Sequence, residues 1–194
     1  MPSRREENTA ATRRALLRVA RRLFAKDGFA GTGIEAIARG ARVTIGALYH
    51  HFENKEALLE AVGEEIEQEL LEHALNVAES DPWLALRKSL ELAIETCAEP
   101  DVQRIVFEEA PHVLGERWRV VELRYAYGGM RAALTGLTEA GVMRPYPLEL
   151  LAPVLLALIK ETAAAVNAAA DRRQALAQSR ELLGRFLESL RVRA

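Results

Sequence analysis

Three helix starts crowd into the 27 residues from Thr32 to Leu58, and that crowding limits what this chain can fold into. Thr32 precedes an apolar-periodic run and Glu35 follows three residues later, the arrangement of a capping box, so a helix is predicted from near Gly33. Ile34, Ile37 and Ala38 then share one face, and the run ends at Gly40. Thr44 is the next cap. It opens a helix of about seven residues, Ile45 to His51, with Leu48 and Phe52 pointing inward and Thr44, Ile45, Ala47, Tyr49 and His50 outward. Gly46 and Ala47 leave room for a close backbone approach. Asn54 caps a third helix that starts at Lys55-Glu56 and continues through Leu58, Leu59 and Val62. The central helix is too short and too weakly apolar to exist for core packing. A short helix held up by its neighbours and facing outward is what a DNA major groove accepts, and helix N-termini suit phosphate oxygens. The competing reading is three short core helices with no partner.

Charge favours the first reading. Residues 1–55 hold eleven Lys and Arg against five Asp and Glu, a net +6; residues 56–194 hold fifteen against twenty-three, a net −8. A basic front end on an acidic body is the electrostatic footprint of a nucleic-acid binder. Arg13, Arg14, Arg18, Arg21 and Arg22 read equally well as a solvated face when taken without the neighbouring motif.

Apolar residues recur at helical spacing almost throughout and Gly and Pro are sparse, so the chain is read as all-α. Residues 1–8 are polar and expected to be mobile. Helix one runs about 9–26, with Ala15, Leu16, Val19, Ala20, Leu23 and Phe24 on one face, and Asp27-Gly28 ends it. The helix after Asn54 is long, about 54–79, and joins two domains. Asp81-Pro82 reads as a cap and first helical position. Glu99-Pro100-Asp101 is a break, Pro111 interrupts the next helix near His112, and Gly128-Gly129 marks a kink within 116–140. Helices at about 147–170 and 172–191 finish the chain.

The one cysteine, Cys97, excludes an internal disulfide and suits a reducing compartment. The start lacks the apolar core of a signal peptide, and no uninterrupted apolar run reaches a membrane span. These features predict a cytoplasmic protein with no membrane partner. Of the four histidines, His50 and His51 are adjacent and face different ways, and Pro111 separates Glu108 from His112, so no metal site is expected and no cofactor. No nucleophile motif, phosphate loop or dinucleotide turn is present. Glu108-Glu109 with His112 reads as a solvated helix end rather than an acid/base cluster, and no enzyme activity is expected.

Residues 9 to about 65 resemble the TetR family of bacterial transcriptional regulators. The likeness is carried by Ile37-Ala38 with Ala41 and Val43, by Thr44-Ile45-Gly46-Ala47-Leu48-Tyr49, by His51-Phe52 with Lys55-Glu56 and Leu58, and by Ala20, Leu23-Phe24 and Asp27-Gly28-Phe29. The resemblance implies an N-terminal three-helix DNA-binding domain with a helix-turn-helix (9–69) and a larger C-terminal helical domain for effector binding and dimerisation (70–194). It implies that Thr44, Ile45, Gly46, Ala47, Tyr49 and His50 face DNA. Tyr49 and Lys55 would touch phosphates, and Thr32 would cap its helix and touch another. One position departs from the family pattern, which has glycine where this chain has Arg42. Either Gly40 takes over the turn, or Arg42 accepts a left-handed backbone at about 1–2 kcal/mol and gains a phosphate.

The resemblance also implies an effector pocket between residues 80 and 145, where the large and polarisable side chains gather: Trp83, Cys97, Phe107, His112, Trp118, Tyr125 and Met130. It points to a two-fold four-helix bundle of the last two helices, with Leu151, Leu155, Leu158, Val166, Leu183, Phe186, Leu187 and Leu190 at the interface. The expected function is a dimeric regulator, most simply a repressor, on a palindromic double-stranded operator and released by a small-molecule effector. Two alternatives stay open: a DNA-binding regulator with no small-molecule ligand, and a helical enzyme or ligand-binding protein whose DNA-binding end has decayed.

Overall fold

A computed structural model describes residues 4–192. Regular structure among them is helical, apart from one isolated antiparallel bridge between Met143 and Arg191. The elements are α1 (Arg4–Gly31), α2 (Ile34–Gly40), α3 (Ile45–His51), α4 (Lys55–Leu75), α5 (Pro82–Cys97), α6 (Pro100–Val102), a π-helical segment π1 (Gln103–Glu109), α7 (Ala110–Leu114), α8 (Glu116–Glu122), a second π segment π2 (Leu123–Tyr127), α9 (Gly128–Glu139), α10 (Leu148–Ala168) and α11 (Arg172–Glu188). The helix at Arg4 reaches into the stretch expected to be mobile; residues 1–3 of that stretch lie outside the described residues. No helix among the described residues is long and apolar enough to cross a membrane.

The chain divides into two compact units. The first comprises residues up to Ile66 together with Pro100–Trp118; the second comprises Glu67–Glu99 and the residues from Arg119 onward. A division at 69/70 does not anticipate the 100–118 segment in the first unit. That segment belongs there because Val102, Ile105, Val106 and Ala110 are buried and α6 and π1 pack on α1. Arg21 Nε also meets Asp101 Oδ2 at 2.9 Å.

In the first unit, Leu16, Ala20 and Phe24 stack at four-residue spacing on α1 and are completely buried, with Ile37, Leu48, Leu58, Leu59 and Val62. Asp27-Gly28 ends the regular part of α1, where Gly28 takes φ 74° and ψ 172°. Pro111 does not break its helix. The π turn Gln103–Glu109 just before it widens the spiral, which accommodates a residue that has no N–H and crowds the carbonyl four positions earlier. Trp118 fills the space opened by Gly63, whose missing Cβ would lie 2.6 Å from the indole.

In the second unit α10 is central and packs on α5, α9 and α11. Asp81 caps α5 by accepting from Trp83 N and Leu84 N, as its sequence predicts. Trp83 is buried, donates from Nε1 to Glu188 at 3.3 Å and lies under the Arg191 guanidinium, which ties the start of α5 to the end of α11. Arg144 N donates to Leu190 O and Val192 N to Val142 O, fastening the C-terminal residues to the α9–α10 connection.

The expected dimer residues require correction. Leu151, Leu155, Val166, Leu183, Leu187 and Leu190 are buried inside this one chain, and Leu158 and Phe186 are half-buried. They form the inner stripe of α10 and α11. The outer stripe carries Leu150 (69% exposed), Val154 (52%) and Leu182 (57%). A helix apolar on every side does not reveal which face its own chain covers first.

Candidate nucleic-acid interface

The end of α2 decides where α3 points. Ala41 ends α2, Arg42 N donates to Arg39 O at 3.1 Å, and Val43 N donates to Ala38 O at 3.0 Å. This pair of bonds is the Schellman closure, which requires a left-handed residue between them. Arg42 supplies it at φ 59°, the only non-glycine residue at positive φ among those described. Gly40 cannot take over the turn, because it has another duty: a Cβ there would lie 2.7 Å from Val19 Cγ1, so its bareness lets α2 lie against α1. Arg42 therefore carries the strain of a residue with a Cβ in this conformation, about 1–2 kcal/mol.

Thr44 then caps α3, its Oγ1 accepting from Ala47 N at 3.1 Å. Of the seven residues of α3 only Leu48 is fully buried. Phe52 closes the helix, with its N–H donating to Leu48 O at 2.9 Å, and its ring is buried beneath the Arg13 guanidinium. Seven residues do not hold a helix by themselves; Leu48 and Phe52 anchor this one. Thr44, Ile45 (43% exposed), Gly46, Tyr49 (51%) and His50 face outward, and Ala47 is half-buried. His51 lies just behind. Its burial, followed by the neighbouring His50 and the Arg13 guanidinium, lowers its pKa below the usual histidine range. Arg14, Arg18, Arg39 and Arg42 are exposed on the same unit. An open groove of about 520 Å³ runs along α1, lined by Arg18, Arg21, Arg22, Ala25, Lys26, Pro100 and Asp101.

Two expected contacts are placed differently. Thr32 does not cap α2, which starts on Gly33 with no side-chain cap. The Thr32 hydroxyl donates instead to Gly28 O at 2.7 Å, and the residue is 3% exposed. The Thr32 side chain is thus turned onto the end of α1. Lys55 Nζ donates to Phe29 O at 2.8 Å and to Thr32 O at 3.0 Å and sits 4.2 Å from the Phe29 ring centre. Two of its three N–H donors thus hold the α1–α2 turn. Asn54 does cap α4, its Oδ1 accepting from Ala57 N at 2.7 Å.

The expected pocket residues are divided between the two units. Phe107, His112 and Trp118 belong to the first unit; Trp83, Cys97, Tyr125 and Met130 belong to the second. His112 is exposed. Trp118 is 1% exposed and its indole N–H has no hydrogen-bond partner. Burial, then the nearby Glu67 charge, pushes the Cys97 thiol up to about 12, which makes it unreactive. Sequence inspection missed Glu67, which is 5% exposed and is pushed up to about 7 by burial and by Glu122. Nothing in its residue type separates it from the half-buried and exposed acids of α4. Sequence inspection also missed Arg104 and read Glu109 as part of a solvated helix end, whereas the partners of both lie about eighty positions away.

A capped, outward-facing seven-residue helix, set by a tight turn on a basic three-helix unit, defines a helix-turn-helix DNA-binding regulator. The family model described as bacterial regulatory proteins, tetR family, matches residues 16–62, and the model described as tetracyclin repressor-like, C-terminal domain, matches residues 83–190. The chain is 29% identical over 156 residues to the transposon Tn10 TetC protein of Escherichia coli, across 77% of each protein. It is 32% identical over 111 residues to the HTH-type transcriptional regulator AcrR of Shigella flexneri, across 56% of this chain and 52% of AcrR. A crystal structure of a TetR-family transcriptional regulator from Pectobacterium atrosepticum aligns with a TM-score of 0.77 at 30% identity, covering 99% of both chains. The chain belongs to the TetR family of bacterial transcriptional regulators.

Proposed function

We propose that the protein is a homodimeric cytoplasmic repressor that grips a palindromic operator and lets go when a small molecule binds its C-terminal part. The observation that carries this reading is α3: it exposes Thr44, Ile45, Gly46, Tyr49 and His50 and is anchored by Leu48 and Phe52. Thr44, Ile45, Ala47 and His50 would read base edges in the major groove, while Tyr49 and Arg42 would meet phosphates. Lys55 would add a phosphate contact with its remaining N–H while bracing the turn. Residues 9–69 supply the DNA-binding function in this reading and residues 70–194 the effector and dimer functions, with 100–118 serving both. No reaction is assigned to the chain.

Two copies would meet on the outer stripe of α10 and α11. Leu150, Val154 and Ala157 follow i, i+4, i+7 spacing on α10, and Leu182 lies exposed on α11. A two-fold pair sets two recognition helices on successive major grooves about 34–36 Å apart. For the effector we favour the second unit around Cys97, Tyr125 and Met130. Tyr125 lies in a π-helical segment, a distortion frequent at functional sites. The effector would act by preferring a conformation of low operator affinity.

Selection of bound duplexes from a random pool by the purified protein, at about 150 mM salt, tests the reading. Recovery of a palindrome with half-sites one helical turn apart supports it. A folded dimer that recovers no sequence would overturn it. With an operator in hand, release by a compound that also raises the melting temperature would identify the effector.

A further inference from the structure

We infer that Arg104 and Glu109 are positioning residues for α3: together they clamp the α1–α2 turn and so set the pose of the helix-turn-helix. This rests on the reading of α3 as the recognition helix. Arg104 Nη1 donates to Ala25 O at 3.2 Å and to Lys26 O at 3.0 Å, in the last turn of α1 before its break. Glu109 Oε1 accepts from Phe29 N at 3.0 Å, and lies 3.7 Å from Arg104 Nε. Between these contacts stands Gly28, in backbone territory essentially closed to other residues (φ 74°, ψ 172°). A Cβ there would lie 2.6 Å from both Arg104 Nη2 and Glu109 Oε1, so the glycine admits the clamp as well as the turn.

Other carbonyls of the same turn are also claimed. Lys55 takes the carbonyls of Phe29 and Thr32, and Thr32 takes that of Gly28. The backbone groups of residues 25–32 are thus held by Arg104, Glu109 and Lys55, all remote in sequence, and by Thr32 within the turn itself. Such a turn has little freedom, and α2 and α3 follow it directly.

The π geometry of residues 103–109 makes the clamp possible. In an α-helix, positions five apart are separated by about 140° around the axis. In a π turn, closed by i→i+5 bonds, they stand nearly one above the other. Arg104 and Glu109 are five apart and lie within π1, so both reach Gly28. Were π1 to relax to α-helix, one of them would swing away. The segment 100–118 is joined through the chain at both ends to the second unit. A change there has a covalent route to this clamp, and from it to α3.

The test uses the full chain and the selected operator. Arg104→Ala and Glu109→Ala are expected to lower operator affinity about tenfold, with non-specific duplex binding and its salt slope unchanged. Glu109→Gln, which keeps an acceptor for Phe29 N–H, should recover most of the loss. Amide exchange of residues 29–51 should quicken in Arg104→Ala while that of α10 holds, and this readout needs no DNA. Operator affinity within threefold of wild type in both alanine variants would overturn the inference, as would unchanged exchange in 29–51. So would an equal loss of specific and non-specific binding in step with the melting temperature. Failure of the wild-type chain to select any sequence would strike the DNA-binding reading itself, and is seen before any variant is compared.

Discussion

Helices α3 and α10 both carry apolar side chains on their outer faces, yet for opposite reasons. α3 has seven residues, buries one fully, and leaves Ile45 and Tyr49 beside polar Thr44 and His50. α10 has twenty-one residues, buries Leu151, Ala152, Leu155, Ile159, Ala163 and Val166, and still exposes Leu150 and Val154. The first helix has almost no core function, so its outer face is the purpose of its existence. The second is a core helix first, and its exposed stripe is what its own chain leaves uncovered. Exposed hydrophobicity alone does not tell the two faces apart; what separates the two helices is how much of each its own chain already uses.

The sharpest way to break the comparison is to remove one anchor from each helix. Leu48→Ala and Leu155→Ala both delete fully buried side chains, and each is expected to destabilise by about 3 kcal/mol in chemical denaturation. Below the melting transition, Leu48→Ala should abolish operator binding, because α3 has little else to hold it. Leu155→Ala should retain binding at low temperature. By contrast, Leu150→Glu should preserve helix content and convert the dimer to monomer in sedimentation at micromolar concentration. An unaltered dimer would show that the outer stripe of α10 is not the interface.

Next in size is a pH effect confined to the second unit. Glu67 is pushed up from the ordinary 4.5 to about 7 by burial and Glu122. A raised folded-state pKa means the favourable protonated form is fully present below about 4.5, and its contribution fades as pH rises through 7. Glu67→Gln should therefore stabilise the protein by about 3 kcal/mol at pH 8 and have little effect at pH 4. Denaturant midpoints across that range check it. A pH-independent effect of the substitution would show that Glu67 has found a partner.

Arg42→Gly sharpens the comparison from the first unit. Relief of the left-handed arginine should add about 1 kcal/mol of stability. If Arg42 meets a phosphate, the same change should weaken binding to all sequences and reduce the salt slope by about one. Smallest is Tyr49→Phe, with a stability change within about 0.5 kcal/mol. It should weaken specific and non-specific duplexes alike; a shift in sequence preference would instead place Tyr49 on a base edge.

The local signals were legible in the sequence. Thr44, Asn54 and Asp81 are seen as caps and act as caps, and the tension at Arg42 was visible through the resemblance, because the family pattern has glycine there. Each of these depends on bonds spanning two to five positions, which residue identity nearly determines. The all-helical class followed in the same way, from periodicity.

Only the tertiary structure decided the rest. Lys55 serves two carbonyls of the α1–α2 turn. The inner and outer stripes of α10 were interchangeable until α5, α9 and α11 covered one of them. Arg104 and Glu109 stood in an ordinary-looking helix until α1 packed beside them. The physical reason is range: a cap or a turn is chosen by neighbours in sequence, whereas the face a helix buries and the carbonyl a side chain reaches are chosen by segments scores of residues away.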